Sequence, residues 1–278
     1  FFFHAHPATP DAQESRGLGD VYKRQVHYSS LEMLKRDCIL NKNFTNLYNK
    51  FCPGPLTFIL KLKKDSKISK FVTNKKKTLA VRFPSHPKAK GLLKILNYPL
   101  AAPSANISSR VSPVTKNHVK EEFGKKIKYI IEGGLSKIGL ESTIINLIGK
   151  PEILRIGSID INKLSKALKK KLLYRKKTYM KVPGQNRLHY SPGIPLRMNC
   201  KQASLDEAFI LVYIRNNSNR NFFYLSKNKN LKEAARNLYS VLRMIKKKGY
   251  KKIAVEKIEN KGIGLAINDR LQKASTKK

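Results

Sequence analysis

The chain has 278 residues, of which 41% are hydrophobic, and it carries a formal net charge of +40. This composition excludes disorder over the body of the chain, and the length predicts more than one domain. No apolar run approaches the roughly 18 residues that a membrane-spanning helix needs. The three cysteines have neither the pairing of a disulfide framework nor the spacing of a zinc site. We therefore expect a cytoplasmic protein with no membrane segment and no bound metal.

The excess of positive charge has two interpretations. A field of this size attracts polyanions such as RNA and makes their binding depend steeply on salt. The basic residues are also spread along the whole chain among many asparagines and isoleucines, as the codon bias of an AT-rich genome produces. Charge alone reports non-specific attraction, so we favour a generic basic surface over a dedicated nucleic-acid site.

The first 25 residues differ from the rest of the chain. They contain no isoleucine and one lysine, although both residue types are abundant elsewhere. They have neither the apolar core of a secretory signal nor the arginine- and serine-rich composition of a transit peptide. The portion QESRGLGDVYKRQ resembles translated sequencing-adapter sequence. We exclude residues 1–25 from functional argument and expect the native chain to begin near Val26.

A first α/β unit is predicted over residues 26–172, where helical and strand patterns alternate. Helices are predicted at Ser29–Phe51, His86–Asn97, Ser112–Gly124 with Ser112 as N-cap, and Ser158–Leu172. Strands are predicted at Leu56–Lys64, Thr78–Phe83, Pro99–Ala102, Lys126–Gly134, Ser142–Gly149 and Pro151–Ile159.

A smaller α/β unit is predicted over residues 207–278. Strands at Ala208–Ile214 and Lys251–Ile258 alternate with helices at Leu231–Gly249 and Leu265–Ser275. The intervening residues 173–206 lack this periodicity and contain several prolines and glycines, so we expect a linker there.

Side chains suited to anions follow the predicted strands of the first unit. They lie in the segments Pro53–Thr57, Thr78–Pro87, Ala102–Ser109 with nearby Ser112, Gly139–Leu147 and Leu154–Gly157. Open α/β sheets bind ligands at such strand ends. Serine hydroxyls and backbone N–H groups suit phosphate oxygens, and Arg82 and Arg155 suit carboxylate or phosphate. The chain has no Walker-type lysine loop and no GxGxxG after a strand.

Each of these residues also has a structural interpretation. The PSAN segment at Pro103–Asn106 is typical of a turn, and Arg82 at a strand end is typical of a salt bridge. His86 is more often a helix cap than a catalyst, and we leave it outside the site. Glu141 is equally consistent with a ligand and with a buried capping role.

Taken together, the motifs resemble one family. PGPLTFIL, VRFPSHP, PLAAPSANISSRVSPVT, EGGLSKIGLESTIINL and LRIGSI occur in the order and spacing of the YrdC-like L-threonylcarbamoyladenylate synthases. The segment VPGQNRLHYSPG resembles that family's linker, and GIGLAINDRLQKAS resembles the end of its two-domain form. The resemblance implies a YrdC-like twisted open α/β sheet with helices, followed by a smaller Rossmann-like α/β domain.

The resemblance also implies an activity. Such a nucleotidyltransferase joins L-threonine, bicarbonate and ATP, with Mg²⁺ as counter-ion and no tightly bound cofactor, into threonylcarbamoyl-AMP and pyrophosphate. The product feeds a downstream threonylcarbamoyl transferase that modifies tRNA. The expected partners therefore include these small molecules and, through the basic surface, weakly bound RNA.

Site residues carried over by motif fall into two groups. The resemblance implies a threonine site formed by His27, Arg82, Ala102 and Ser142. It implies an ATP site formed by Thr78, Ser104, Ser112, Arg155, His189 and Tyr190, with Asn106 nearby and the His189–Tyr190 pair acting as a lid.

Several departures from the family pattern limit the assignment. The family's TETVYGLG-like stretch and KxR motif are expected before Val26 and are not found there, so we assign no catalytic residue. Lys23 and Arg24 are not that motif. EGG replaces the usual DGG, and SPVT replaces SPT. Whether the chain as written is active is left open.

Two alternatives come from other functional classes. A non-catalytic protein that binds double-stranded RNA or tRNA would fit the charge but leaves the HY and ESTIINL motifs without a purpose. A carbamoyl-transfer domain of the hydrogenase-maturation type would need cysteine pairs and an acylphosphatase-like domain, and we find neither in the sequence.

Overall fold

The computed structural model describes residues 24–174, 189–214 and 219–275. Its first sheet has seven strands: β1 Gln25–His27, β2 Cys38–Ile39, β3 Leu56–Leu62, β4 Thr78–Arg82, β5 Leu100–Ala102, β6 Thr143–Asn146 and β7 Glu152–Arg155. Six strands lie in the order β5-β1-β4-β3-β6-β7, and β2 pairs with β3. The sheet is mixed, since β1 and β4 are parallel, β3 and β6 are parallel, and the other pairs are antiparallel.

The central strand β3 explains why this sheet forms a core. Its first five residues, Leu56 to Leu60, are all buried, so both faces of the strand are covered. A strand buried on both faces is expected to be a continuous apolar run rather than an alternating one. The single polar member of that run, Thr57, faces the candidate site described below.

Within residues 24–174, six α-helices accompany this sheet: α1 Leu31–Asp37, α2 Lys42–Phe51, α3 Lys70–Thr73, α4 Pro87–Ile95, α5 Lys116–Phe123 and α6 Ile161–Leu168. The single helix predicted at Ser29–Phe51 is wrong, because the short strand β2 separates α1 from α2. Asn41 caps α2 by accepting a hydrogen bond from the Phe44 backbone N–H, and its side-chain amide donates to the carbonyl of Leu147. This cap therefore begins a new helix and ties it to the sheet.

Two further predictions about the first unit are corrected. The N-cap of α5 is Thr115 rather than Ser112, because the Thr115 hydroxyl accepts from the His118 backbone N–H. Ser112 is thereby left to bond elsewhere. The strand predicted at Lys126–Gly134 is also wrong: these residues follow α5 without a sheet partner among the described residues. Tyr129 and Ile131 in this segment are exposed, and Ile127 and Ile130 are half-buried.

The second sheet is parallel and belongs to the C-terminal part of the chain. Its strands are β8 Leu196–Arg197, β9 Ala208–Tyr213, β10 Phe222–Ser226 and β11 Ile253–Val255, in the order β10-β9-β11-β8. All the neighbouring pairs are parallel. Helix α7, Leu231–Lys247, follows β10, and helix α8, Gly264–Ala274, follows β11. The strands β8 and β10 were not predicted, and β8 lies within the segment expected to be a linker.

The predicted fold class is confirmed: a mixed α/β sheet with helices is followed by a smaller parallel α/β unit. In the part of the chain that the structure describes, no helix is both long and apolar enough to cross a membrane. Residues 1–23 of the excluded N-terminal segment and residues 175–188 of the expected linker fall outside the described ranges, whereas Gln25 of that segment belongs to β1.

Candidate active site

Polar side chains lie side by side at one end of the strands β1, β4 and β3. His27 is paired with Arg82, and Arg82 is paired with Thr57 across the next strand boundary. Directly opposed residues of neighbouring strands project to the same face of a sheet. The sheet register therefore brings His27 and Arg82 together as predicted, and it adds Thr57 beside them.

The Arg82 guanidinium is held by backbone rather than by a carboxylate. Its Nε donates to the carbonyl of Gly54 at 3.4 Å. In the described ranges no carboxylate oxygen lies within 4.0 Å of Arg82, so the salt-bridge interpretation of this residue is not met there. Arg82 lines a cavity of about 540 Å³ whose wall also includes Ala105 and Thr115. Its charge is therefore available to an anion in that cavity.

Electrostatics in this region favour a bound anion. Burial, together with the nearby charge of Arg155, lowers the pKa of Arg82 to about 10. Burial, together with the charge of Arg82, lowers the pKa of His27 to about 3, so its ring is neutral at pH 7. The positive charge of Arg155 makes protonation of Arg82 less favourable. An anion placed between these two cations stabilises both of them.

Ser142 connects Thr57 with Arg155. The Ser142 and Thr57 hydroxyl oxygens lie 2.7 Å apart, and Arg155 donates from Nη2 to the Ser142 hydroxyl at 2.9 Å and from Nε to the Ser142 carbonyl at 3.0 Å. All three residues are buried. Gly157 allows this close approach, because a Cβ there would lie 2.3 Å from the backbone nitrogen of Thr143.

The loop that follows β5 is braced by its own asparagine. The Asn106 side-chain amide donates to the carbonyl of Arg110 at 2.9 Å and to that of Ile107 at 3.0 Å. Ser104 is exposed at the start of this loop, and Ala102 is buried at the end of β5, opposite Gln25. The turn interpretation of Asn106 therefore holds, and the same turn presents Ser104 to solvent.

Glu141 is the centre of a hydrogen-bonded cluster that joins the first domain, which contains the seven-stranded sheet, to the second domain, which contains the four-stranded sheet. Its carboxylate accepts from Ser112 Oγ at 2.7 Å, from Tyr239 OH at 3.0 and 3.1 Å, and from Arg270 Nε at 2.9 Å. Burial alone would raise the pKa of Glu141, but the charges of Arg270 and Arg155 outweigh it and lower that pKa to about 2. Glu141 is thus an ionised interdomain anchor and caps no helix.

His189 and Tyr190 lie against the same cluster. The Tyr190 ring stacks on the Tyr239 ring, with centroids 5.8 Å apart, and the Arg270 guanidinium carbon lies 5.0 Å from the Tyr190 centroid. The His189 backbone N–H donates to the carbonyl of Lys273 at 2.9 Å. Burial lowers the pKa of His189 to about 4, so this ring is neutral at pH 7. The pair is therefore docked against the second domain in this structure.

Thr78 does not join the other predicted residues. It begins β4 and pairs with Lys61, whereas Arg82 ends the same strand. Four residue steps along a strand separate the two Cα atoms by about 13 Å. We therefore leave Thr78 out of the site built from Arg82, Ser142 and Arg155.

Three site residues were missed by the sequence argument: Thr57, Tyr239 and Arg270. In the sequence, Thr57 is the last residue of the segment Pro53–Thr57 and was assigned no role. A single polar residue in an otherwise apolar strand was a usable signal for a site residue. Arg270 also had a signal. It falls on the buried face of α8 that Ala266, Ile267 and Leu271 define, where the helical period requires apolar residues. For Tyr239 we see no comparable signal.

Both α/β units of the chain are similar to known protein families. The Sua5/YciO/YrdC family model, described as "Telomere recombination", matches residues 23–157. The model described as "Threonylcarbamoyl-AMP synthase, C-terminal domain" matches residues 154–276. The threonylcarbamoyl-AMP synthase of Pyrococcus abyssi is 34% identical over 90% of this chain and 79% of its own length. The chain belongs to the Sua5 family of threonylcarbamoyl-AMP synthases.

Other members of the Sua5 family give the same picture. The synthase of Schizosaccharomyces pombe is 30% identical over 96% of this chain and 81% of its own length. The crystal structure of P. abyssi Sua5 complexed with L-threonine superposes with a TM-score of 0.83 at 30% identity, covering 95% of this chain and 83% of that one. Family membership predicted from the motifs is thereby confirmed over nearly the whole chain.

Proposed function

We propose that this chain is a threonylcarbamoyl-AMP synthase that condenses L-threonine, bicarbonate and ATP and releases pyrophosphate. The observation that carries the proposal is the pair Arg82 and Arg155 at one end of the sheet: Thr57 is the cross-strand neighbour of Arg82, and Ser142 bonds to both Thr57 and Arg155. Two guanidiniums suit a reaction whose substrates are a carboxylate and a triphosphate. The relatives' shared name, threonylcarbamoyl-AMP synthase, supports the same assignment.

The threonine site in this proposal lies where β1 and β4 end, beside the edge strand β5. Arg82 binds the amino-acid carboxylate, because its fork of N–H donors matches two oxygens and has no carboxylate partner within the described ranges. The neutral ring of His27 and the Ser142 hydroxyl contribute polar contacts beside it. Buried Ala102 of β5 lies opposite Gln25, two residues along β1 from His27, and borders this site.

The ATP site lies between the loop after β5 and the interdomain cluster. Ser104 is exposed there, Arg155 is linked to Ser142, and Ser112 is fixed by Glu141. In this proposal His189 and Tyr190 cover this side of the site from the linker, which the bond from the Ser191 N–H to the carbonyl of Ser109 supports. Mg²⁺ enters with the triphosphate as part of the substrate.

Catalysis in such a site consists mainly of positioning and charge neutralisation. The neutral threonine amine attacks CO₂ and loses a proton to solvent, or attacks bicarbonate and expels water, and either route forms a carbamate. A carbamate oxygen then attacks the α-phosphorus of ATP, the bond to the β-phosphate oxygen breaks, and pyrophosphate leaves with the negative charge. Arg155 and substrate-borne Mg²⁺ stabilise that charge. The resulting adenylate is the substrate of a transferase that carries the threonylcarbamoyl group to tRNA in the cytoplasm.

Pyrophosphate release tests this proposal. Purified chain is incubated with ATP and each combination of threonine and bicarbonate, and pyrophosphate is measured with a coupled enzyme. We expect release only when all three substrates are present. Pyrophosphate release that does not depend on threonine would contradict the proposal. Binding of tRNA without any pyrophosphate release would favour the RNA-binding alternative.

A further inference from the structure

The contacts of Ser112 restrict what this residue can offer a ligand. A serine hydroxyl has one proton to donate and lone pairs that accept. An ionised carboxylate only accepts hydrogen bonds, so the 2.7 Å contact between Ser112 and Glu141 uses the serine proton. What Ser112 can still offer a ligand is an acceptor. A phosphate oxygen, which is also an acceptor, is a poor partner for it.

The second domain keeps Glu141 in this state. Arg270 is 1% exposed and donates from Nε to Glu141 at 2.9 Å, and Tyr239 donates to both carboxylate oxygens. The Asp269 carboxylate accepts from Arg270 Nη1 at 2.5 Å and orients its guanidinium. These donors satisfy the hydrogen-bonding capacity of the carboxylate and oppose its protonation. A protonated Glu141 could instead donate a hydrogen bond to Ser112.

The two domains are also in tight contact beside Glu141. Gly139 has a φ of +78°, a conformation that L residues rarely adopt, and a Cβ there would lie 2.4 Å from the Cα of Arg236 in α7. The backbone two residues before Glu141 therefore rests directly on α7. The second domain therefore fixes the Glu141 carboxylate in two ways. It contacts the backbone near Glu141 at Gly139, and its Tyr239 and Arg270 side chains bind the carboxylate.

We propose that Ser112 recognises a hydrogen-bond donor on the nucleoside half of ATP, and that Arg270 of the second domain positions Ser112 for this by holding Glu141. The donor is a ribose hydroxyl or the adenine 6-amino group, since these are the donors that the neutral part of ATP offers. The inference rests on the proposed function, in which Ser112 lies in the ATP site. It assigns the second domain a part in nucleotide selection.

Binding of ATP analogues to the full chain tests the inference. ATP, 2′-deoxy-ATP, 3′-deoxy-ATP and ITP are titrated calorimetrically against wild type and Ser112→Ala. Loss of one hydrogen bond predicts that wild type binds ATP about 5- to 10-fold more tightly than one of the analogues. The analogue that is disfavoured identifies the donor. Ser112→Ala should bind ATP and that analogue equally.

The part played by Arg270 is tested with matched arginine variants. Arg270→Gln should lose most of the discrimination, and Arg270→Lys should restore part of it. Arg197→Gln removes another arginine of the second domain that is bonded to a glutamate, Glu207, and should discriminate like wild type. If Arg270→Gln does not fold, Tyr239→Phe, which keeps the ring and removes one donor to Glu141, should show reduced discrimination.

The outcomes separate this inference from the proposed function. Wild type that binds no ATP overturns both. Wild type that binds ATP and every analogue equally overturns the inference alone, as does a Ser112→Ala variant that discriminates like wild type. If folded Arg270→Gln discriminates between ATP and the analogue as wild type does, the role of the second domain is overturned. If Arg270→Gln does not fold, the same result with Tyr239→Phe overturns that role.

Discussion

Replacement of Arg82 by alanine should separate the two substrates. The side chain lines the cavity, and among the described residues it is held by one 3.4 Å bond to the Gly54 carbonyl, so its other N–H donors face no acceptor there and can bind a ligand. A hydrogen bond to a charged group contributes about 1.5–3 kcal/mol, which corresponds to about 10- to 150-fold in affinity. Arg82→Ala should weaken threonine binding by this factor and leave ATP binding nearly unchanged.

Isothermal titration of L-threonine and ATP measures both effects. Arg82→Lys keeps the charge but lacks the planar fork, so its threonine affinity should lie between those of wild type and Arg82→Ala. Arg36→Ala, at an exposed arginine of α1, controls for loss of a positive charge and should bind threonine normally. If Arg82→Ala loses ATP affinity and keeps threonine affinity, our placement of the two sites is wrong.

Four further predictions follow from the same contacts. Ser104→Ala should weaken ATP binding by less than 10-fold and spare threonine in the same titrations, because it removes one neutral hydrogen bond; a loss confined to threonine would contradict it. Glu141→Gln should lower the free energy of unfolding by about 2–4 kcal/mol in urea, because it leaves buried Arg270 with one charged partner fewer; a change below about 0.5 kcal/mol would contradict it. Since the pKa values of His27 and His189 are depressed to about 3 and 4, both rings bind protons on unfolding below pH 6.5. Stability should therefore fall as pH decreases from 6.5 toward 4, by about 1.4 kcal/mol per pH unit for each histidine, and His189→Gln should reduce that slope in urea titrations; an unchanged slope would contradict it. Filter binding of tRNA should be weak, unselective and steeply salt dependent, and tight selective binding at physiological salt would overturn the generic-surface interpretation.

Most of the first sheet could be predicted because its strands carry strong local signals. Leu56–Leu62 is a mainly apolar run that begins after Pro55, Thr78–Arg82 is a mainly apolar run that stops shortly before Pro84, and both were found nearly to their boundaries. The strand predicted at Lys126–Gly134 has the same apolar composition but finds no partner among the described residues. Composition predicts the capacity to form a strand, whereas a strand exists only where a neighbour pairs with it.

The sequence predicts only those site residues that lie within a recognisable local motif. Arg82, Ser142 and Arg155 each lie in a motif, and the fold brings them together. The Glu141 cluster depends on contacts between residues about 100 or more positions apart, such as Glu141 with Arg270. No local pattern encodes which buried arginine meets which carboxylate, because that pairing is set by how α8 docks on the first domain.

The most direct test of the account is transfer of labelled carbon from bicarbonate to an adenylate. The assay uses the chain itself and a chimaera that carries the N-terminal segment of the Pyrococcus abyssi relative in place of residues 1–23. Our account predicts that radiolabel enters an acid-labile product containing AMP only when threonine and ATP are both present, and that Arg82→Ala reduces this incorporation at limiting threonine. If neither protein incorporates label with all three substrates present, the synthase assignment is contradicted.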